Sequence, residues 1–157
     1  VDGIALTLQN RKARPVRYAV EKGSANSGWS SRNMGILGTL ILVFLVTHMQ
    51  NFWWKMHFSE MPMHEINGEQ LKDLYTVVLD YFNPAINSFA AVAVAVYVAG
   101  MAAMGFHLWH GFASGFQSMG VRHETYTRWI EAAGKAFALI VPLAFASIPL
   151  YLYMTQA

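Results

Sequence analysis

The stretch "MGILGTLILVFLVTHMQNFWW", Met34 to Trp54, carries no charged residue and is interrupted near its end by Thr47, His48, Gln50 and Asn51. A hydrocarbon layer of about 30 Å is crossed by about 20 mostly apolar residues rising 1.5 Å each. This segment is long enough to do so. Two others are as long: Pro84 to Met119, rich in Ala and Val, and Ala132 to Met154, which has Lys135 in its first turn and Pro142, Ser147 and Pro149 further on. Over 157 residues the chain is 55% apolar and 13% charged, too few charges to clothe a soluble domain of this size. The expected fold is all-α, a transmembrane helix bundle with three spans at 34–56, 84–119 and 132–155. Residues 1–33 are expected to form the end of a preceding helix and a basic loop. Residues 57–83 and 120–131 are the connecting loops, the first with a short interfacial helix over Gly68 to Leu79.

Charge between the spans sets an expected orientation, because Lys and Arg collect in short cytoplasmic loops. Arg11, Lys12, Arg14, Arg17, Lys22 and Arg32 precede the first span against Asp2 and Glu21, and Arg122, Arg128 and Lys135 lie between the second and third with Glu124 and Glu131. The intervening loop is acidic, with Glu60, Glu65, Glu69, Asp73 and Asp80 against Lys55 and Lys72. The first and third segments are therefore expected on the cytoplasmic side and the acidic loop outside. "QNRKARPVRY", beside a span, reads as this orientation signal and not as a nucleic-acid patch. The absence of cysteine excludes disulfides, cysteine-ligated clusters and a CxxCH attachment, so any haem would be held non-covalently. The opening "VDGIALTLQN" lacks the pattern of a signal peptide. Gly3 with Ile4, Leu6 and Leu8 resembles the exit of an earlier span, and the chain is expected to be the C-terminal portion of a longer protein.

Three histidines, His48, His107 and His110, stand inside apolar segments. In "FHLWHGFASGFQSMG", Phe106 to Gly120, the residues His107, His110, Gly111, Ser114 and Ser118 are expected to form one polar, small-residue stripe, with Leu108, Trp109, Phe112 and Phe116 turned towards lipid. An imidazole in a membrane is costly, which makes function the default reading; small residues admit a partner helix or a flat macrocycle. The alternative is helix packing with one imidazole bonded to a backbone carbonyl. His48 follows Met34 by 14 residues, about 21 Å, and His107 follows Pro84 by 23, about 35 Å on an oppositely directed helix. The two then lie at opposite depths. They cannot share one iron, which would need both nitrogens within about 2 Å of it: either neither binds metal or each serves its own cofactor. Asn51 and Lys55 are expected on the face of His48, Lys55 reaching outward as a partner for a cofactor carboxylate or as an interfacial anchor beside Trp53 and Trp54. His57, His64 and His123 read as solvated loop residues.

"QNRKARPVRY", "SSRNMGILGTLILVFLVTHMQNFWWKMHF" and "GFHLWHGFASGFQSMG" together resemble the five-span, di-haem cytochrome b558 membrane subunit of succinate dehydrogenases and fumarate reductases. Histidine followed by glycine at the fourth and thirteenth positions, as in His107, Gly111 and Gly120, is similar to that family's haem-binding helix. The resemblance implies that the spans here are helices three to five. It implies that His48 ligates a distal haem b and His107 a proximal one, the opposing ligands lying on the first two helices, with the second-helix histidine two residues before Val1. It selects His107 over His110, whose neighbouring glycines have other offsets; His110 becomes a neighbour bonding a propionate or the backbone. Arg11, Lys12, Arg14, Arg32 and Arg122 would neutralise proximal propionates or dock a partner. The implied function is a haem b anchor of succinate:quinone oxidoreductase in the cell inner membrane, embedded in lipid, holding a flavoprotein (FAD) and an iron-sulfur subunit on its cytoplasmic face and passing electrons to or from quinone. Succinate and fumarate chemistry would belong to the flavin in another chain. The rival readings are the cytochrome b anchor of a hydrogenase or formate dehydrogenase, and a non-haem transporter or structural subunit.

Overall fold

A computed structural model describes residues 2–14, 16, 23–121 and 123–156. Arg17, Lys22, Glu21 and Arg122, named above for orientation or docking, lie outside them. The chain is a helix bundle with one small hairpin: α1 Asp2–Ala13, α2 Gly23–Asn26, α3 Trp29–Arg32, α4 Met34–His48, a π-helical segment Met49–Trp54, α5 Lys55–Phe58, β1 Met63–Ile66, β2 Glu69–Lys72, α6 Leu74–Phe82, α7 Ala90–Ser118 and α8 Tyr126–Gln156. Three continuous helical runs, Met34–Phe58, Ala90–Ser118 and Tyr126–Gln156, are long and apolar enough to cross a membrane. The fold expectation is met, and α1 carries the opening segment as a helix that continues through Arg11 and Lys12.

The bundle is organised around α7. On α8 the buried residues are Gly134, Ala138, Pro142, Ala146 and Pro149. They recur every three or four positions, so one narrow stripe of small side chains faces α7 and lets the backbones approach. At Gly134 an added Cβ would fall 2.4 Å from Cδ1 of Phe112, and at Gly105 on α7 it would fall 3.2 Å from the Ala138 carbonyl oxygen. Pro142 has no N–H to offer that carbonyl from one turn on. On α4 the stripe Leu37, Ile41, Phe44, His48 and Phe52 turns inward; at Gly100 of α7 an added Cβ would fall 2.5 Å from the Phe44 ring. The residues between, such as Val43, Leu45 and Val46, are exposed, as suits contact with lipid tails.

Several local expectations are corrected. The second span begins at Ala90 and not at Pro84: Pro84 lacks an N–H, Asn83 accepts from the Ala85 amide (2.8 Å) and Asn87 from the Phe89 amide (3.0 Å), so these side chains close turns ahead of the helix. The third helix starts at Tyr126, six residues before Ala132, taking in the polar turn with Arg128 and Glu131. The interfacial helix is Leu74–Phe82, and Gly68 lies in a turn. Asn67 (φ 55°) and Gly68 (φ 85°) both occupy the left-handed region, the requirement of a two-residue hairpin turn, and they join β1 to β2 with Ile66 opposite Glu69 and Met63 opposite Lys72. Lys72 Nζ donates to the Met56 carbonyl, tying the hairpin to α5. Asp73 then caps α6: its carboxylate accepts from the Thr76 amide at 3.0 Å and the Thr76 hydroxyl at 2.7 Å, which holds the carboxyl below its ordinary pKa.

Candidate functional site

The antiparallel packing of α4 on α7 gives the two intramembrane imidazoles their levels. An added Cβ at Gly38 would lie 3.9 Å from Cε1 of His107, and the His48 ring lies 5.8 Å from that of Tyr97. From Gly38 to His48 is ten residues along α4; from Tyr97 to His107 is ten along α7. Both helices thus separate the rings by about 15 Å. His107 is 17 residues into α7, about 26 Å from its start, because that helix begins at Ala90.

His48 sits in an aromatic setting, with ring centroids of Phe44 at 5.8 Å, Phe52 at 5.3 Å and Tyr97 at 5.8 Å. It is the last residue of regular α-helix before the π segment, a local widening that recurs at functional sites. The wider turn rotates the residues beyond it. Phe52 packs against the His48 ring, Asn51 donates from Nδ2 to the Tyr81 hydroxyl at 2.7 Å, and Lys55 is exposed. Asn51 therefore serves the seam between the first span and α6 instead of leading outward to water. Burial raises the Tyr81 phenol above its ordinary pKa.

His107 meets small residues: Gly38 at its ring, and Gly111 one turn on, where an added Cβ would lie 3.8 Å from Cε of Met34. Gly38 also borders a cleft of about 730 Å³ between α1 and α4, lined by Gly3, Thr7, Arg11, Gly35 and Thr39 among others. His107 reaches that cleft only past Gly38. Of the basic residues expected around it, Arg11 lines it. Arg32 is exposed at the end of α3 and donates from Nη1 to the Ser27 carbonyl, while Lys12 and Arg14 are exposed.

Among the described residues, Nδ1 of His48 and Nδ1 of His107 are buried without a hydrogen-bond partner, as are the Tyr97 hydroxyl and Oε1 of Gln156. His57 shows the ordinary solution: its Nδ1 pairs with the Trp53 carbonyl at 2.8 Å. An orphaned ring nitrogen in an apolar setting costs on the order of 1–3 kcal/mol, and neither ring recovers it from a backbone carbonyl as His57 does. The packing alternative, one imidazole bonded to a backbone carbonyl, describes His57 and neither intramembrane ring. Among the described residues no three His, Asp or Glu side chains converge as a metal-holding group. His48 is the one imidazole at its level among the described residues, and His107 has His110 one turn on, turned towards α8.

The expected stripe on α7 divides. His107 and Gly111 face α4, whereas His110 and Ser114 line a pocket of about 330 Å³ with Ser30 of α3 and Glu131 and Lys135 of α8. Ser114 donates to the His110 carbonyl at 3.0 Å and Ser118 to the Ser114 carbonyl at 2.8 Å, so both hydroxyls are taken up by the helix. Phe112, expected to face lipid, packs on Gly134 and lies 5.9 Å from the Phe137 ring. This pocket was missed from sequence, where Glu131 and Lys135 counted only towards loop charge; their four-residue spacing at the head of the third span is the signal that could have found it. His64 and His123 are exposed, as expected of loop residues. In comparison with known proteins, no family model matches the chain, and no curated protein or solved structure matches it.

Proposed function

We propose that this chain is a haem b-binding membrane anchor of a succinate:quinone oxidoreductase, with His107 an axial ligand of one haem and His48 of a second. The observation that carries the reading is the pair of intramembrane imidazoles, ten residues apart on each of two packed helices, both with an orphaned buried Nδ1. The residues present fit such groups unequally. Near His107, the cleft between α1 and α4 beside Gly35 and Gly38 is the space that would take a flat macrocycle, and Arg11 stands there as a propionate partner. At His48, the Phe44, Phe52 and Tyr97 rings fix the imidazole and exclude water on its inner side. Each level supplies one imidazole, His107 or His48, that would hold its haem.

Bound haem would supply one-electron transfer at a potential set by its axial ligands and by the apolar surroundings. The chain's own part is to orient two rings and to keep their shells apolar. The basic residues of α1 and of the segment before α4 make a docking face for a flavoprotein and an iron-sulfur subunit on the cytoplasmic side of the inner membrane. A proton relay through these histidines, as in a transporter, has less support, because neither ring has a hydrogen-bond partner among the described residues.

The test uses native membranes. Addition of succinate is expected to reduce a haem b absorption that travels with this chain through mild detergent extraction, together with a flavoprotein and an iron-sulfur protein. Reduction by formate or hydrogen, with a molybdenum or nickel enzyme co-purifying, would transfer the chain to another respiratory dehydrogenase.

A further inference from the structure

The pocket beside His110 has a second cavity as its neighbour across Trp109. Trp109 lines both: on one side the polar pocket of about 330 Å³ with His110, Gln117, Glu131 and Lys135, on the other an apolar groove of about 380 Å³ along Gly105, Ala138 and Pro142 as far as Ala146. On α8 the groove runs from Ala138 to Ala146, eight residues or about 12 Å, and Lys135 of the polar pocket stands three residues before it. Its walls are apolar, from Val98 and Phe106 on α7 to Leu139 and Leu143 on α8. A ligand that suits both chambers has a compact polar head and an apolar tail.

Resting on the quinone oxidoreductase reading above, we infer that the α7/α8 pocket is a quinone site, holding the ring beside His110 and Lys135 and the isoprenoid tail in the Gly105 to Ala146 groove. The charges in the head pocket decide between ligands. Lys135 and Glu131 offset one another, so a phosphate head would gain from the ammonium and lose to the carboxylate. A neutral ring with carbonyl acceptors meets donors in Lys135, Gln117 and His110 without that repulsion. The Lys135 ammonium stands 6.0 Å from the Trp109 ring centroid, so the aromatic wall and the strongest donor lie together, as a flat acceptor-bearing ring requires. Quinone would therefore dock one helical turn beyond His107, at the level of the first proposed haem.

The probe is a short-tail naphthoquinone carrying a photoreactive group, added to the purified complex in lipid discs, with crosslinks mapped by mass spectrometry and the dissociation constant measured by titration. Crosslinks are expected within residues 105–117 and 131–146. Lys135→Met is expected to weaken binding about tenfold or more, the scale of a lost charge-assisted hydrogen bond. Glu131→Gln should leave affinity within about twofold, because a neutral ring gains nothing from losing the carboxylate. Trp109→Leu, at a largely exposed position that leaves the helix packing intact, gives a second weakened variant. Crosslinks confined to other segments, or unchanged affinity in both Lys135→Met and Trp109→Leu, would overturn the assignment. So would binding of anionic phospholipid that tightens in Glu131→Gln, the mark of an anion site. Haem absorbance is recorded on the same samples: crosslinks in the pocket without haem defeat the haem reading and leave the pocket standing, whereas intact haem with crosslinks elsewhere defeats the pocket alone.

Discussion

His48, His107 and His110 lie in apolar helices, yet the fold gives each a different neighbourhood, and that difference is testable one residue at a time. Replacing His107 with Leu is expected to remove one of two haem signals and spare much of the other; His48→Leu should do the reverse; absorption spectra of the inserted variants report both. Loss of neither signal would return the two rings to packing roles. His110 borders the α8 pocket and not Gly38, so His110→Leu should leave both irons six-coordinate, and a five-coordinate spectrum would show that the wrong imidazole was chosen. Asp73 gives a pH-dependent case outside the spans. Its carboxyl is held below the ordinary value, chiefly by the Thr76 amide and hydroxyl. Its contribution to α6 is therefore present above the ordinary carboxylate pKa and is lost as pH falls through the depressed one. Amide exchange at Thr76, corrected for the intrinsic rate, should accelerate in that acid window in the parent protein and show no such step in Asp73→Asn. The levels of His48 and His107 were legible from counting residues along spans. The partners of Asn51 and His110 were not, since they depend on which helices pack together and on a π turn that single-residue spacing does not reveal.

At the scale of the element, α7 is held by glycines that accept bulk from its neighbours. Gly100→Ala would drive a methyl group into the Phe44 ring and Gly134→Ala another into Phe112. Neither ring lies at the end of a long flexible side chain, so the helices must separate, at a cost of about 1–3 kcal/mol each by the scale of core overpacking. Thermal inactivation in detergent is expected at lower temperature for both, whereas Gly115→Ala, with nothing within 4 Å, should be neutral. Because Phe44 packs against His48, Gly100→Ala should also perturb the absorption assigned to that level, and Gly134→Ala should not. Span composition declared the three membrane helices. Their starts were misjudged where apolar residues continue through turns, as at Pro84 to Phe89. The hairpin was carried by a plain signal, Asn67-Gly68, at the start of the segment expected as a short helix over Gly68 to Leu79.

Across the described residues, three apolar helices, two imidazole levels and two cavities along α7 form one arrangement, in which each proposed haem would be held by one histidine and the proposed quinone would lie beside His107. The cleft between α1 and α4 and the pocket between α7 and α8 lie on different sides of that histidine, so a cofactor and an exchangeable ligand need not compete for the same space. Hydropathy and histidine spacing carried the bundle and the two levels. The cavities come from side-chain volumes meeting across helices, which no single helix displays. The central claim is that each level holds one haem. It is tested most directly by the ratio of haem b to this chain in the complex isolated from native membranes, measured as pyridine haemochrome against quantitative amino-acid analysis, with the low-spin signals resolved by redox titration. Two haems per chain, titrating as two six-coordinate components, are the predicted result; a preparation that retains its partners and contains no haem would contradict the account.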